Sequence, residues 1–284
     1  AFGPSHFGRW GGWEVYSLHT DEWIDPEPHF WDGSSPSYYT HNWCDNRDHW
    51  VWSTQVQSMN WIFMIDWAYS VNPDWWWEVS TWDGNNAWTP DMPYDPKLLK
   101  KSKACQYMKD GQTYTPDRHE GWAQFGLWLL RPRVYREFRG STVPRAPWQP
   151  FFDRMIAVVE RVHTSATLQE FWRRGTLVPN RAHPHPYQAK IPEPYRNADR
   201  WFLLDTNLDA PRPWTPKTDI PVFSIAFVLG EGKARRWLVY AHSPLEDRKN
   251  VQITIPDRGE ITVDVPRKGT FYNVTANRVA PVGI

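Results

Sequence analysis

The chain has 284 residues, of which 40% are hydrophobic, so it is long enough to bury the core of one large domain or two ordinary ones. Lysine plus arginine and aspartate plus glutamate both count 32, so the formal net charge is zero and no overall positive field favours a nucleic-acid partner. No apolar run reaches the roughly 20 residues of a membrane span, so we expect no membrane partner.

Along the chain, residues 1 to about 50 predict loops with one strand, Trp13–Ser17. Apolar residues at helical spacing predict a helix from Asp48 to Val71, and a strand follows from Trp75 to Ser80. Residues 82 to 118 are rich in Asp, Asn, Pro and Gly. They predict a long connection at the carboxyl end of that strand.

The alternation of strands and helices continues beyond this connection. The predicted elements are a short helix Pro96–Met108, a helix His119–Leu130, a strand Val134–Phe138 and a long helix Pro150–Arg174. Such alternation implies parallel strand pairing, in a doubly wound sheet or in a (β/α)8 barrel. Because no glycine-rich nucleotide-binding motif is present, we predict a partial or complete (β/α)8 barrel over residues 1–178.

This barrel portion is short for eight strand and helix units, because a complete barrel needs roughly 200 to 250 residues. The favoured explanation is that the N-terminal units lie outside this chain; the alternative is that further strands are hidden in the first 50 residues. We therefore expect an N-terminal half of the same barrel, or another chain, as a partner. The first residues, Ala1–Pro4, resemble neither a signal peptide nor a natural initiator, which indicates a processed chain or a piece of a longer one.

A second domain is predicted toward the carboxyl end. Residues 179–221 are studded with prolines and predict an extended linker or wrapping segment. Short apolar strands joined by glycine-containing turns then predict an antiparallel β-sandwich over residues 222–284. These strands are Val222–Leu229, Trp237–His242, Val251–Ile255, Ile261–Val265 and Thr270–Val274. The predicted fold class is therefore α/β, a barrel portion followed by a β-sandwich.

The composition is unusual in its 21 tryptophans. Seventeen of them precede residue 150, which places the predicted functional surface in the first half of the chain. An indole offers an apolar face and one N–H donor, which suits the C–H face of a sugar ring. For any single tryptophan a place in the core is the commoner explanation. Only the cluster indicates a carbohydrate substrate.

Glu78 is the best candidate catalytic group. In a parallel barrel the catalytic groups stand at the carboxyl ends of strands, and alternation places Trp76, Glu78 and Ser80 on one face of the predicted strand. Surrounding indoles raise the pKa of a carboxyl group, and nearby arginine or histidine donors keep a nucleophile ionised. The alternative for Glu78 is a buried ion pair with Arg133, Arg136 or Arg139.

Glycoside hydrolysis needs a second carboxyl group. The candidates are Glu14, Glu137, Asp83 and Asp45. Glu137 stands between Arg136 and Arg139, which is more typical of a structural ion pair, and the same interpretation applies to Glu14.

Other residues supply candidate sugar contacts. The segment His41–His49 alternates polar groups with aromatic ones, as a sugar subsite does, although a capped helix start would have the same pattern. The substrate-binding candidates are Trp76, Trp82, Trp43, His41, Asn42 and Trp88. We expect no cofactor and no metal site, because the pairs His119 with Glu120 and His183 with His185 lack a third matched ligand.

Three segments, Trp76–Gly84, Gly126–Arg133 and Trp237–Ala241, together resemble barrel-type glycoside hydrolases that carry a C-terminal β-sandwich. In that group a glutamate ending a late barrel strand is commonly the nucleophile, and the resemblance implies this role for Glu78. The other carboxylate commonly ends an earlier strand, and no Asn-Glu pair stands in this sequence to receive that role.

The expected function is therefore a secreted or periplasmic hydrolase that cleaves glycosidic bonds in a polysaccharide or an oligosaccharide. The main alternative is a non-catalytic carbohydrate-binding fragment or pseudo-enzyme. Polysaccharide lyase chemistry is a third, smaller alternative.

Overall fold

The computed structural model describes residues 2–5, 16–17, 22–23, 33–38, 76–80, 116–138, 149–184, 198–209, 220–244 and 246–283. In the strands before residue 116 and in residues 136–138 it describes the backbone only. The chain divides into two compact units. The first contains residues 1–115, 130–152 and 187–197, and the second contains residues 116–129, 153–186 and 198–284.

The described elements are labelled in chain order. The strands are β1 (Phe2–Ser5), β2 (Tyr16–Ser17), β3 (Glu22–Trp23), β4 (Gly33–Tyr38), β5 (Trp76–Ser80), β6 (Val134–Phe138), β7 (Thr176–Leu177), β8 (Asp205–Thr206), β9 (Phe223–Leu229), β10 (Arg236–His242), β11 (Arg248–Ile255), β12 (Gly259–Val265), β13 (Thr270–Val274) and β14 (Val279–Pro281). The α-helices are α1 (Pro116–Leu130), α2 (Gln149–Thr164) and α3 (Ala166–Arg174).

The first unit contains a parallel sheet of four strands, in which β1, β4, β5 and β6 are neighbours in chain order. The predicted parallel pairing of the two central sequence segments is confirmed, because β5 and β6 pair in parallel over all five residues of each strand. In chain order α1 lies between β5 and β6.

Two strands of this sheet, β1 and β4, lie in the opening segment, where only the strand Trp13–Ser17 was predicted. The described end of that predicted strand, β2, pairs antiparallel with β3. The expectation of a single strand in this segment was wrong, and the alternative of hidden strands is right for β1 and β4. These strands escaped prediction because they contain mostly Gly, Ser and Pro and show no apolar run.

The helix α1 begins three residues before the predicted start and ends at Leu130 as predicted. Proline suits the first helical position because its missing N–H has no partner there, and Asp117 in the first turn complements the helix dipole. Every residue from Arg118 to Leu130 is buried. A helix buried all round belongs to the interior of its unit rather than to its surface.

The single helix predicted for Pro150–Arg174 is wrong, because the structure has two helices that meet at Ser165. Ser165 has extended backbone angles, and its side-chain oxygen accepts a hydrogen bond of 3.4 Å from the backbone N–H of Leu168. This is the N-cap geometry that serine favours. Periodicity alone did not reveal the break, because the apolar spacing continues on both sides of it.

The second unit contains two antiparallel sheets. One has five strands in the order β14, β13, β10, β9 and β7, and the other has three in the order β12, β11 and β8. All five strands predicted after residue 221 are present, with bounds that differ by at most three residues. The two-residue strands β7 and β8 and the strand β14 were not predicted, because two or three residues carry no readable alternation.

The two sheets of the second unit share one hydrophobic core. Its buried residues include Val239 and Ala241 from β10 and Ile253, Ile255 and Val263 from the three-stranded sheet. This sandwich-like arrangement is compatible with the predicted β-sandwich. The described fold is mixed α/β, with mostly β structure toward the carboxyl end.

The other face of the five-stranded sheet packs against α1. The ring of Trp122 lies 4.7 Å from that of Phe223, and the ring of Trp128 lies 5.4 Å from that of Phe227 and 5.0 Å from that of Phe271. Alternate residues of the sheet therefore serve two cores. None of the helices that the structure describes combines the length and the apolar character needed to cross a membrane.

Candidate functional site

Glu78 lies in the middle of β5, two residues before the carboxyl end of the strand. Because β5 is an interior strand, Glu78 has a backbone register partner on each side. These are Ser37 on β4 and Arg136 on β6. We call Ser37, Glu78 and Arg136 the polar row.

A polar row is unusual in a parallel sheet. Parallel sheets are normally covered on both faces, so their strands are mainly apolar. Neighbouring strands run about 4.8 Å apart, which brings the three backbone positions of the row close together. A hydroxyl-bearing, an acidic and a basic residue at one level therefore mark this part of the sheet as the candidate site.

Glu137, a candidate second carboxylate, occupies the next register position. Its backbone partner on β5 is Val79 rather than Glu78. Successive positions along a strand belong to opposite faces of a sheet. The register thus separates Glu137 from the polar row, although it is only one residue away from Arg136.

Of the predicted sugar contacts, Trp76 is the first residue of β5 and has Val134 as its register partner on β6. The other predicted site residues lie outside the described residues. These are Glu14, His41, Asn42, Trp43, Asp45, Trp82, Asp83 and Trp88. The predicted helices Asp48–Val71 and Pro96–Met108 lie outside them too.

Several tryptophans with described side chains belong to the core. Trp122 and Trp128 are completely buried, and Trp237 is 5% exposed. Trp128 also makes an edge contact with Trp172 at a ring distance of 5.3 Å. These indoles fill the second unit, as the general preference of aromatic side chains for the interior would suggest.

The second unit contains a buried ionic cluster that the sequence did not predict. Glu120 on α1 is completely buried and forms ion pairs with Arg161 and, at 3.1 Å, with Arg154 of α2. Arg161 also donates a 3.0 Å hydrogen bond to the side-chain oxygen of Gln124, one helical turn beyond Glu120. We call Glu120, Gln124, Arg154 and Arg161 the ionic cluster.

Buried polar side chains of β10 and α1 lie near this cluster. The Tyr240 hydroxyl donates a 2.7 Å hydrogen bond to the carbonyl oxygen of Gly121. Burial raises the pKa of Tyr240 well above its usual value, and the charge of Glu120 raises it further. Burial lowers the pKa of His119 and of His242 to about 3. At neutral pH these three groups are therefore uncharged.

These features indicate structural roles for Glu120 and His119. A carboxylate held by two arginines has its charge compensated within the protein. Among the described residues, no group of three or more His, Cys, Asp or Glu side chains is arranged to hold a metal ion. His183 is paired with Asp205 instead, and Asp205 also accepts a 3.1 Å hydrogen bond from the side-chain amide of Asn180.

Comparison of the chain with protein-family models, with curated proteins and with solved structures gave no match.

Proposed function

We propose that this chain is part of a glycoside hydrolase that acts on a polysaccharide or an oligosaccharide, with Glu78 as a catalytic carboxylate. The observation that carries the proposal is the place of Glu78 in the polar row, near the carboxyl end of an interior parallel strand. In (β/α)8 barrels the loops after these strand ends surround the substrate. The position of Glu78 near a strand end supports this role.

The fold that goes with this proposal is a partial or complete (β/α)8 barrel followed by a β-sandwich. The parallel pairing of β1, β4, β5 and β6 is the feature of the fold that goes with this proposal. The core shared by the two antiparallel sheets supports the sandwich. An N-terminal half of the same barrel, or another chain, provides the remaining strands.

A carbohydrate substrate contacts the first half of the chain in this proposal. Support comes from the second unit, where Ile156 is the only exposed large hydrophobic residue that the structure describes. The tryptophans described there are buried or half-buried, so that part of the unit offers no fully exposed aromatic side chain to a sugar ring. The proposed contacts are Trp76, Trp82, Trp43, His41, Asn42 and Trp88. A polymeric substrate goes with a secreted or periplasmic location.

The second carboxylate is proposed among Glu14, Asp45 and Asp83. The register supports Glu137 less, because the positions of Glu137 and its partner Val79 belong to the opposite face of the sheet from those of Glu78 and Arg136. Replacing each candidate with its amide, and following the loss of turnover, would identify the partner.

The test compares the wild-type chain with the Glu78→Gln variant on a panel of soluble polysaccharides, with new reducing ends as the readout. We expect Glu78→Gln to lower kcat at least about 1000-fold while sugar binding, measured by calorimetry, is retained. The matched control is Glu260→Gln, at an exposed position of β12, which should leave kcat unchanged. Equal turnover by Glu78→Gln and wild type would overturn the proposal.

The non-catalytic alternative makes a different prediction. A carbohydrate-binding fragment or pseudo-enzyme binds the same sugars with no turnover in either protein. The missing Asn-Glu pair is the feature of the sequence that favours this alternative.

A further inference from the structure

A group of basic side chains lies where α3 ends and where β9 turns back into β10. The short strand β7 follows α3 and pairs with β9, with Thr176 as the register partner of Val228. This pairing brings the last turn of α3 to the connection between β9 and β10, residues 230–235. The basic side chains are Arg173 and Arg174 on α3 and Lys233, Arg235 and Arg236 at or beside the connection. We call these five residues the basic patch.

Contacts of Arg236 join the two parts of the basic patch. Its guanidinium carbon lies 5.5 Å from the ring centre of Phe171 on α3, and its guanidinium forms a 2.5 Å ion pair with Glu170. Glu170 also pairs with Arg174 at 3.6 Å. Two arginines therefore share one carboxylate, which leaves positive charge in excess at this point.

The other three members of the patch add to this excess. None of Arg173, Lys233 and Arg235 has a carboxylate partner among the residues that the structure describes. Arg173 and Lys233 are exposed, and Arg235 is half-buried with its guanidinium carbon 5.7 Å from the ring centre of Trp237. The chain as a whole is neutral, so the patch is a local concentration of positive charge.

The dipole of α3 explains only part of this concentration. Basic residues in the last turn of a helix, here Arg173 and Arg174, interact favourably with its carboxyl end. Lys233 and Arg235 belong to the connection between two strands and have no such role. Their charge is available to a partner.

The surroundings of the patch select among anionic partners. A guanidinium donates paired hydrogen bonds that match the two oxygens of a carboxylate. Single-stranded nucleic acid is commonly bound by basic grooves that also carry aromatic side chains for base stacking, and basic membrane-binding surfaces also carry apolar ones. Ile156 on α2 is the only exposed large hydrophobic residue that the structure describes. A polymer with repeated carboxylates and no need for stacking is the partner that fits.

We propose that the basic patch binds an acidic polysaccharide, one whose sugars carry carboxylate groups. Arg173, Lys233 and Arg235 contact carboxylates of the polymer. The choice of a polysaccharide over other polyanions rests on the proposed function, whereas the electrostatic part rests on the patch alone. The patch belongs to the second unit, and it adds a charged contact to the substrate contacts proposed for the first half of the chain.

The first test measures binding of the wild-type chain by calorimetry. The probes are polygalacturonate and its fully methyl-esterified form, which share one sugar backbone and differ in charge. At about 50 mM salt we expect polygalacturonate to bind at least about tenfold more tightly than the ester. Raising the salt to about 200 mM should weaken binding of polygalacturonate about tenfold, because three charge contacts are screened.

The second test removes the unpaired charges of the patch. The variant Arg173→Gln, Lys233→Gln, Arg235→Gln should bind polygalacturonate at least about tenfold more weakly than the wild type. The matched control is Arg181→Gln, Arg248→Gln, Lys249→Gln, which removes the same charge from cations that are paired with Asp199, Glu246 and Asp264. The control should stay within about twofold of the wild type, because its charges are already compensated. Thermal melting checks that both variants are folded.

Three results would overturn the inference. They are no binding of polygalacturonate by the wild type, equal binding of the ester, and equal weakening in the two triple variants. Duplex DNA bound as tightly as polygalacturonate would overturn the choice of a polysaccharide.

Binding and turnover are measured separately, so the two proposals fail separately. Unchanged turnover by Glu78→Gln removes the proposed function and leaves the charge contacts of the patch to be judged by binding. Loss of polygalacturonate binding in the wild type removes only the patch.

Discussion

The hydroxyl of Tyr240 donates a 2.7 Å hydrogen bond to the carbonyl oxygen of Gly121, across 119 residues of sequence. Both groups are buried, so the bond joins β10 to the start of α1 in the interior of the second unit. Tyr240→Phe should lower the free energy of unfolding by about 1 to 2 kcal/mol, because the carbonyl oxygen keeps its burial and loses this donor. Urea unfolding of both proteins measures the difference.

Tyr272→Phe is the control for this variant. The Tyr272 hydroxyl donates a hydrogen bond to the backbone oxygen of Asp264, but this bond is only partly buried. In Tyr272→Phe, water therefore takes the place of the lost hydroxyl more readily. A loss of stability in Tyr272→Phe that equals or exceeds the loss in Tyr240→Phe would contradict the assigned importance of the Tyr240 bond.

The ionic cluster makes a second prediction. Glu120→Gln leaves the charge of Arg161, which is mostly buried, without its carboxylate partner. We expect the free energy of unfolding to fall by about 3 kcal/mol or more. Glu170→Gln is the matched control, because Glu170 pairs with Arg236 and, at 3.6 Å, with Arg174 at a partly exposed site. That control should lose less than about 1 kcal/mol, and equal losses would contradict the prediction.

Acid should destabilise the protein through its buried histidines. The pKa of His242 is about 3 in the folded protein against 6.5 for an ordinary histidine. Between these values the unfolded chain binds a proton that the folded chain does not, so stability is full above pH 6.5 and falls as the pH is lowered toward 3. The slope for one such group is about 1.4 kcal/mol per pH unit. His119 adds the same effect.

The variant His242→Phe isolates one of these contributions. Phenylalanine keeps the stacking on Phe223, whose ring lies 5.5 Å from the imidazole, and carries no titrating group. Urea unfolding at pH 7, 6, 5 and 4 should show the variant gaining on the wild type by about 1.4 kcal/mol per unit below pH 6.5. If the free energies of unfolding of the two proteins change with pH in parallel, the pKa of His242 does not change on unfolding.

The sequence predicted elements well where local signals agree. The five longer strands of the carboxyl-terminal sheets carry apolar or alternating runs between turn residues, and all are present. The predicted strand Val134–Phe138 is present too. The strand β4 and the helix break at Ser165 were missed, because pairing and capping decide them rather than periodicity.

For the candidate site as well, local sequence predicted some features and missed others. Glu78 was identified from its strand and its neighbours in sequence. Its opposition to Arg136 depends on the register between two strands that are far apart in the chain, and local sequence does not specify that register. The ionic cluster was missed for the same reason, since the carboxylate and its arginines lie on different helices.

A final prediction concerns Gly121, where two opposing effects compete. In an exposed helix, replacing glycine with alanine stabilises by about 1 kcal/mol. At Gly121 an added Cβ atom would lie 2.4 Å from the carbonyl oxygen of Arg267 and 3.1 Å from the His242 ring. Because backbone must move to relieve the first contact, we expect Gly121→Ala to destabilise by about 1 to 3 kcal/mol despite its better helix propensity.

Urea unfolding again measures the effect, with Gly283→Ala as the control, since nothing lies within 4 Å of an added Cβ there. Gly283→Ala should leave stability within about 0.5 kcal/mol of the wild type. A stabilised Gly121→Ala would mean that α1 and the Arg267 backbone separate easily. The close approach would then contribute little to holding α1 against the five-stranded sheet.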